Sequence, residues 1–243
     1  MISSIFSAIF LSFFASAVIL NYKVGRLLNL SFASIFTAGA YIFLSVNSTT
    51  AILLAFFAGF AVGAAISKIT ESLSAGEATI VSLGFGIAIE EAIRLTFRSS
   101  YYQIVEASYI NLLGEAVSVH EVWNSILLIS LLLVFATILI SRRGLELKFV
   151  EDDWELAEMY GVDTSRIRFL VIVISSGLIC VSGAILSPTQ PLHPSMGWSI
   201  MIVAVIIAAL ATSTGDAGLR KYALTLPTAL AYAFILQILR WSL

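Results

Sequence analysis

Eight charge-poor apolar runs, at residues 2–20, 30–46, 51–67, 78–97, 122–141, 169–186, 198–213 and 222–239, take up most of the 243-residue chain. Crossing about 30 Å of hydrocarbon takes some 17–25 residues of helix, so each run is long enough, or nearly so, to span a bilayer. The runs are apolar on every face and lack the ten-residue alternation of membrane barrels, which makes the spans helices. Composition agrees: 59% of the residues are hydrophobic and 12% charged, with a mean hydropathy of +1.00, a balance no water-soluble domain of this size needs. The expectation is an all-α polytopic membrane protein of about eight transmembrane helices, one permease-like domain over residues 1–243. The first run follows Met1 without a basic flank and has no small-residue cleavage site before Asn21, so it reads as a retained span.

Ten of the 13 Lys and Arg residues fall in alternate connections: Lys23 and Arg26; Lys68; Arg142, Arg143, Lys148, Arg166 and Arg168; Arg220 and Lys221. The other side holds Arg94, Arg98 and Arg240. The positive-inside rule places the first set in the cytoplasm and both termini outside, in a multi-pass inner (cytoplasmic) membrane protein. Trp123, Trp198 and Trp241 then sit at the outer ends of their spans, as belt aromatics do. The outer connection 98–121, with Tyr101, Tyr102, Tyr109, Glu106, Glu115 and Glu121, reads as a short interfacial segment.

Enzyme motifs are absent: no phosphate-binding loop ending in Lys-Ser or Lys-Thr, no HExxH, no GxSxG. A single cysteine and two distant histidines give no metal site and no cofactor is implied. No basic patch follows a phosphate backbone, so nucleic acid is not a partner. Any uphill transport must draw on an ion gradient or on a partner that hydrolyses ATP.

The cytoplasmic loop 142–168 contains the one strongly patterned soluble segment. Residues 151–160 read as a short helix with Glu151 and Asp152 in its first turn, and Gly161 stops it. Trp154, Leu156, Ala157 and Tyr160 read as an apolar stripe, with acids on the other face. So short a helix must pack on something, and anionic lipid repels its acids. A docking helix for a cytoplasmic partner therefore stands against a plain surface helix. In the fourth run Glu90 and Glu91 lie within reach of Arg94 at helical spacing. They are either a local ion pair or a polar lining of a translocation path. Gly59 and Gly63, Gly84 and Gly86, and Ser175-Ser176-Gly177 read as small-residue faces for close helix packing.

Ala157-x-x-x-Gly161-Val162-Asp163-Thr164-x-Arg166, preceded by Glu151-Asp152 and followed by Val181-Ser182-Gly183-Ala184, resembles the coupling loop of branched-chain amino acid permease subunits of ABC importers. Asn29-Leu30-Ser31-Phe32-Ala33 with Ala38-Gly39-Ala40-Tyr41 is similar to that family's second span, and Ile80-Val81-Ser82-Leu83-Gly84 to its fourth. The chain departs from the pattern at 211–218, where the family has a Gly-Gly-x-Gly-Ser loop, and at Glu90-Glu91. The resemblance implies a second permease subunit, cytoplasmic ATP-binding subunits and an extracytoplasmic solute-binding protein as partners. It also implies that Glu151, Asp152, Trp154, Leu156, Ala157, Tyr160 and Gly161 couple the chain to the ATPases. Relatives serve urea, amides and nucleosides as well as amino acids, so the solute stays open. The rival reading is an ion-coupled secondary transporter using Glu90 or Glu91 as proton carrier.

Overall fold

The computed structural model describes residues 2–46, 48, 50–97, 108–112, 115–213 and 219–242. Helices occupy all eight apolar runs: α1 (Ile2–Lys23), α2 (Phe32–Val46), α3 (Thr50–Ile69), α4 (Ala75–Phe97), α5 (Val119–Ile140), then α6 (Arg142–Asp152) and α7 (Trp154–Met159), then α8 (Thr164–Leu186), α9 (Met196–Thr212) and α10 (Leu219–Ser242). Among the described residues three helices, α1, α3 and α8, are long and apolar enough to cross a membrane on their own terms. A fourth arises if α5 and α6, bent by 78° at their junction, count as one. At 15 and 17 residues, α2 and α9 are shorter, and the charges of α4 set it apart. Against the eight crossings expected, three to four spans have the length and apolarity to cross independently among the described residues; the other apolar runs are helical but shorter or more charged.

The connection before α5 forms an antiparallel hairpin of β1 (Tyr109–Leu112) and β2 (Glu115–Ser118), pairing Tyr109 with Ser118 and Ile110 with Val117. Tyr101, Tyr102 and Glu106 lie outside the described residues.

The core is built around α8, which packs most extensively on α3 and α2, while α1 is gripped by α10 and α9. At the α2–α8 crossing a Cβ on Gly39 would fall inside the Cys180 carbonyl, and one on Gly183 inside that of Phe36. The two backbones meet there with no side chain between them. Gly59, Gly63 and Gly177 make the α3–α8 seam in the same way, as the small-residue pattern anticipates. Gly84 departs from that pattern: nothing lies within 4 Å of its Cβ position, so it faces away from the bundle, whereas Gly86 approaches Ser31 and Ser34 at 3.4 Å. Phe10 and Phe14 of α1 interleave with Phe32 and Phe36 of α2, ring centroids 5.6–6.2 Å apart, at tilted and edge-on angles that aromatic quadrupoles favour. Polar ties are few: Asn21 Nδ2 donates to Ser175 Oγ, Ser12 and Thr225 hydroxyls meet at 2.8 Å, and Gly197 N–H donates to Thr37 Oγ1 at 3.2 Å. Each joins two helices across an otherwise apolar contact.

Candidate functional site

At the basic end of the bundle the chain leaves α5, turns, and runs through α6 and α7 before α8. Glu151 and Asp152 do not open the helix that contains Trp154; they close α6. Asp153 is extended (φ −152, ψ 108) and its carboxylate accepts from Leu156 N–H at 3.0 Å, capping α7. The expected single helix over 151–160 is thus two, because the middle acid of the run serves better as an N-cap than as an interior residue.

α7 ends in a Schellman turn: Val162 N–H donates to Ala157 O and Gly161 N–H to Glu158 O, both at 3.0 Å. Gly161 takes φ 82, the left-handed torsion that glycine tolerates. Its Cβ position is otherwise empty, so torsion and not crowding requires glycine. Two residues on, the Asp163 carboxylate accepts from Arg166 N–H at 2.9 Å and starts α8.

The expected apolar stripe is also split. At 3.6 residues per turn Trp154 and Ala157 form one pair and Leu156 and Tyr160 another, the two turned about 110° from each other around α7. Trp154 and Ala157 pack inward in a small cluster with Val24, Val150 and Val171. Leu156, Met159 and Tyr160 point outward, 40%, 84% and 75% exposed, with Tyr160 edge-on to Phe149 of α6. Asp152, Glu155 and Glu158 are exposed around them.

Glu151 faces inward instead and pairs with Lys221 of α10, both side chains nearly buried. Burial holds the Lys221 ammonium down to about 8, with Lys23 and Lys148 adding to the push; the Glu151 carboxylate is what compensates the buried charge.

Three further residues, which the sequence shows only as loop cations or a belt aromatic, complete the arrangement. Arg168 is buried and clamps two neighbouring segments: its Nε donates to Gly25 O at 3.0 Å and a terminal nitrogen to Thr70 O at 2.7 Å and Thr70 Oγ1 at 3.1 Å. Arg26 lays its guanidinium 4.6 Å from the centre of the Trp154 ring. At the opposite end Trp198 Nε1 donates to Glu90 Oε2 at 2.8 Å. The expected ion pair forms as well: Arg94 bonds Glu90 Oε1 at 2.5 Å and Glu91 Oε1 at 3.2 Å. Glu90 is therefore a buried junction of α4 and α9, while Glu91 is exposed. Nothing in the sequence marks the Trp198 contact, which joins residues 108 positions apart.

Among the described residues no three His, Cys, Asp or Glu side chains gather to hold a metal ion. The arrangement offers a rigid turn with an outward apolar knob, wired inward by a cation, a buried salt bridge and a clamp.

No curated protein and no solved structure gives a significant match to the chain. The family model for the branched-chain amino acid transport system permease component matches residues 1–241, nearly the full length, including both ends of the bundle. The chain belongs to this family of membrane transport permeases.

Proposed function

We propose that the chain is the membrane-spanning subunit of an ABC importer for branched-chain amino acids or a related small polar solute. It pairs with a second permease subunit, takes solute from an extracytoplasmic binding protein and is driven by cytoplasmic ATPases. The basic end of the bundle faces the cytoplasm, in keeping with the ten-to-three distribution of Lys and Arg. The observation that carries the coupling reading is the division of α7: Trp154 and Ala157 anchor it inward, while Leu156, Met159 and Tyr160 stand exposed within a ring of acids. An apolar knob rimmed by carboxylates fits an apolar cleft with a basic rim on the ATPase, since anionic lipid would repel it. The family gives no support to an ion-coupled carrier built on Glu90 and Glu91.

Met159 and Tyr160 are mostly exposed and, beyond the edge-on contact of Tyr160 with Phe149, little of the fold rests on them, so the double variant Met159→Ser/Tyr160→Ser folds normally. Buried aromatic and large apolar anchors carry about 2 kcal/mol or more each at an interface, so the ATPase subunits fall off this variant during co-purification. Retention at the wild-type ratio removes α7 as the docking element.

A further inference from the structure

Arg26 is the one non-glycine residue with a left-handed backbone among the described residues, at φ 52. Helix ends ordinarily give this torsion to glycine, because an L side chain is disfavoured there. Here glycine stands one position too early: a Cβ on Gly25 would lie 2.6 Å from the Asn21 carbonyl oxygen, so crowding holds glycine at 25 and the strained torsion falls to an arginine. Strain of this kind persists where the surroundings enforce it and marks positions with a task. What the torsion achieves is the placement of the Arg26 guanidinium over Trp154, the inward anchor of α7.

The segment that follows α1 is tied at its other side to α4. Leu28 N–H donates to Thr79 Oγ1 at 3.2 Å, Leu30 N–H to Ser82 Oγ at 3.0 Å, and Ser82 Oγ returns a bond to Leu28 O at 3.3 Å. The Gly25 carbonyl is held by Arg168, which keeps the strand of loop taut between the two contacts. A continuous chain of contacts therefore runs from Trp154 through residues 26–30 into α4, the helix that bears Glu90.

We propose that Arg26 is a positioning residue that transmits displacement of α7 to α4. When α7 moves, the cation over Trp154 carries the 26–30 segment with it, and the hydrogen bonds at Thr79 and Ser82 pass the movement on. This inference rests on the reading of α7 as the ATPase-docking element.

The test is made on the permease assembled with its ATPase subunits in lipid nanodiscs. An environment-sensitive fluorophore is placed on α4 through Ala88→Cys, an exposed site; Cys180 is buried and does not compete. ATP with vanadate is the probe, and the readout is the emission shift of the α4 label. Arg26→Gly accepts the left-handed turn and removes only the cation. It is expected to keep its Tm within about 3 °C of the parent, to retain the ATPases, and to lose the shift by about fivefold or more. Arg26→Lys, which keeps a cation above the ring, restores it. A full shift in Arg26→Gly overturns the relay. So does a loss of shift accompanied by a larger fall in Tm, or one that Arg26→Lys fails to restore, since either marks a structural role. If the parent itself does not retain the ATPases, the docking reading fails and the relay with it.

Discussion

The junction at Glu90 separates two effects that the sequence alone runs together. From the spacing of Glu90, Glu91 and Arg94, removal of Arg94 strands a buried carboxylate, which costs about 3–5 kcal/mol where burial is complete. The geometry lowers that figure. The Arg94 side chain is 48% exposed and Glu91 54%, while Glu90 is 11% exposed. Exposed pairs of this kind contribute about 0.2–1 kcal/mol, and after Arg94→Ala the Glu90 carboxylate still accepts the Trp198 N–H. Trp198→Phe is the severer change, because it keeps most of the ring and removes the half-buried donor to Glu90; a hydrogen bond to a charged group is worth about 1.5–3 kcal/mol. For a chain of this length that corresponds to a fall in Tm of about 3–12 °C, against about 4 °C or less for Arg94→Ala. Thermal unfolding of the purified protein at one scan rate ranks the two. Combining Trp198→Phe with Glu90→Gln completes a double-mutant cycle, in which partners in contact couple by about 0.5–3 kcal/mol. The reasoning is refuted if Arg94→Ala is the more destabilising variant, or if the Trp198 and Glu90 changes add without coupling.

Cysteine replacements test orientation: in intact cells a membrane-impermeant reagent reaches Ser108→Cys and Ser195→Cys and spares Ser165→Cys, and labelling of Ser165→Cys inverts the topology. The burial of Lys221 predicts a pH dependence. Burial, with Lys23 and Lys148, holds its ammonium down to about 8 against an ordinary 10.5, so between these values the unfolded chain binds the extra proton and stability rises with pH; Lys221→Met/Glu151→Met flattens that rise, and an unchanged slope in the double variant assigns it to another group.

Helix positions were legible because an apolar run of this length leaves the backbone few alternatives to satisfying its own hydrogen bonds. The Gly161 stop was legible for the same local reason, since a left-handed turn demands glycine. The break at Asp153 was not: in a run of five residues from Glu151 to Glu155 with four acids, nothing local says which carboxylate turns back onto the chain. Faces were harder still. Trp154 and Leu156 look alike as apolar residues on a short helix, and only the packing of Val24 and Val171 against one side decides which is the anchor. Arg168 and Lys221 count as loop charges in any reading of orientation, yet both are buried, because their partners, Gly25, Thr70 and Glu151, come from distant parts of the chain. Gly84 and Gly86 are two residues apart on one helix, about 200° of turn, so they face opposite ways and only Gly86 serves the packing face.

The way each helix is fastened sets what can move. α2, α3 and α8 meet backbone to backbone at Gly39, Gly183, Gly59 and Gly63; sliding one past another drives carbonyls into Cα atoms, and close-packed seams of this kind yield in steps and not continuously. α4 is fastened differently. Its inner half hangs on hydrogen bonds that the Thr79 and Ser82 hydroxyls accept from Leu28 N–H and Leu30 N–H, each worth about 1 kcal/mol net, and its outer half on Glu90 and Trp198. A helix held by a few exchangeable hydrogen bonds, beside three locked by their backbones, is the freer to shift along the relay proposed through Arg26.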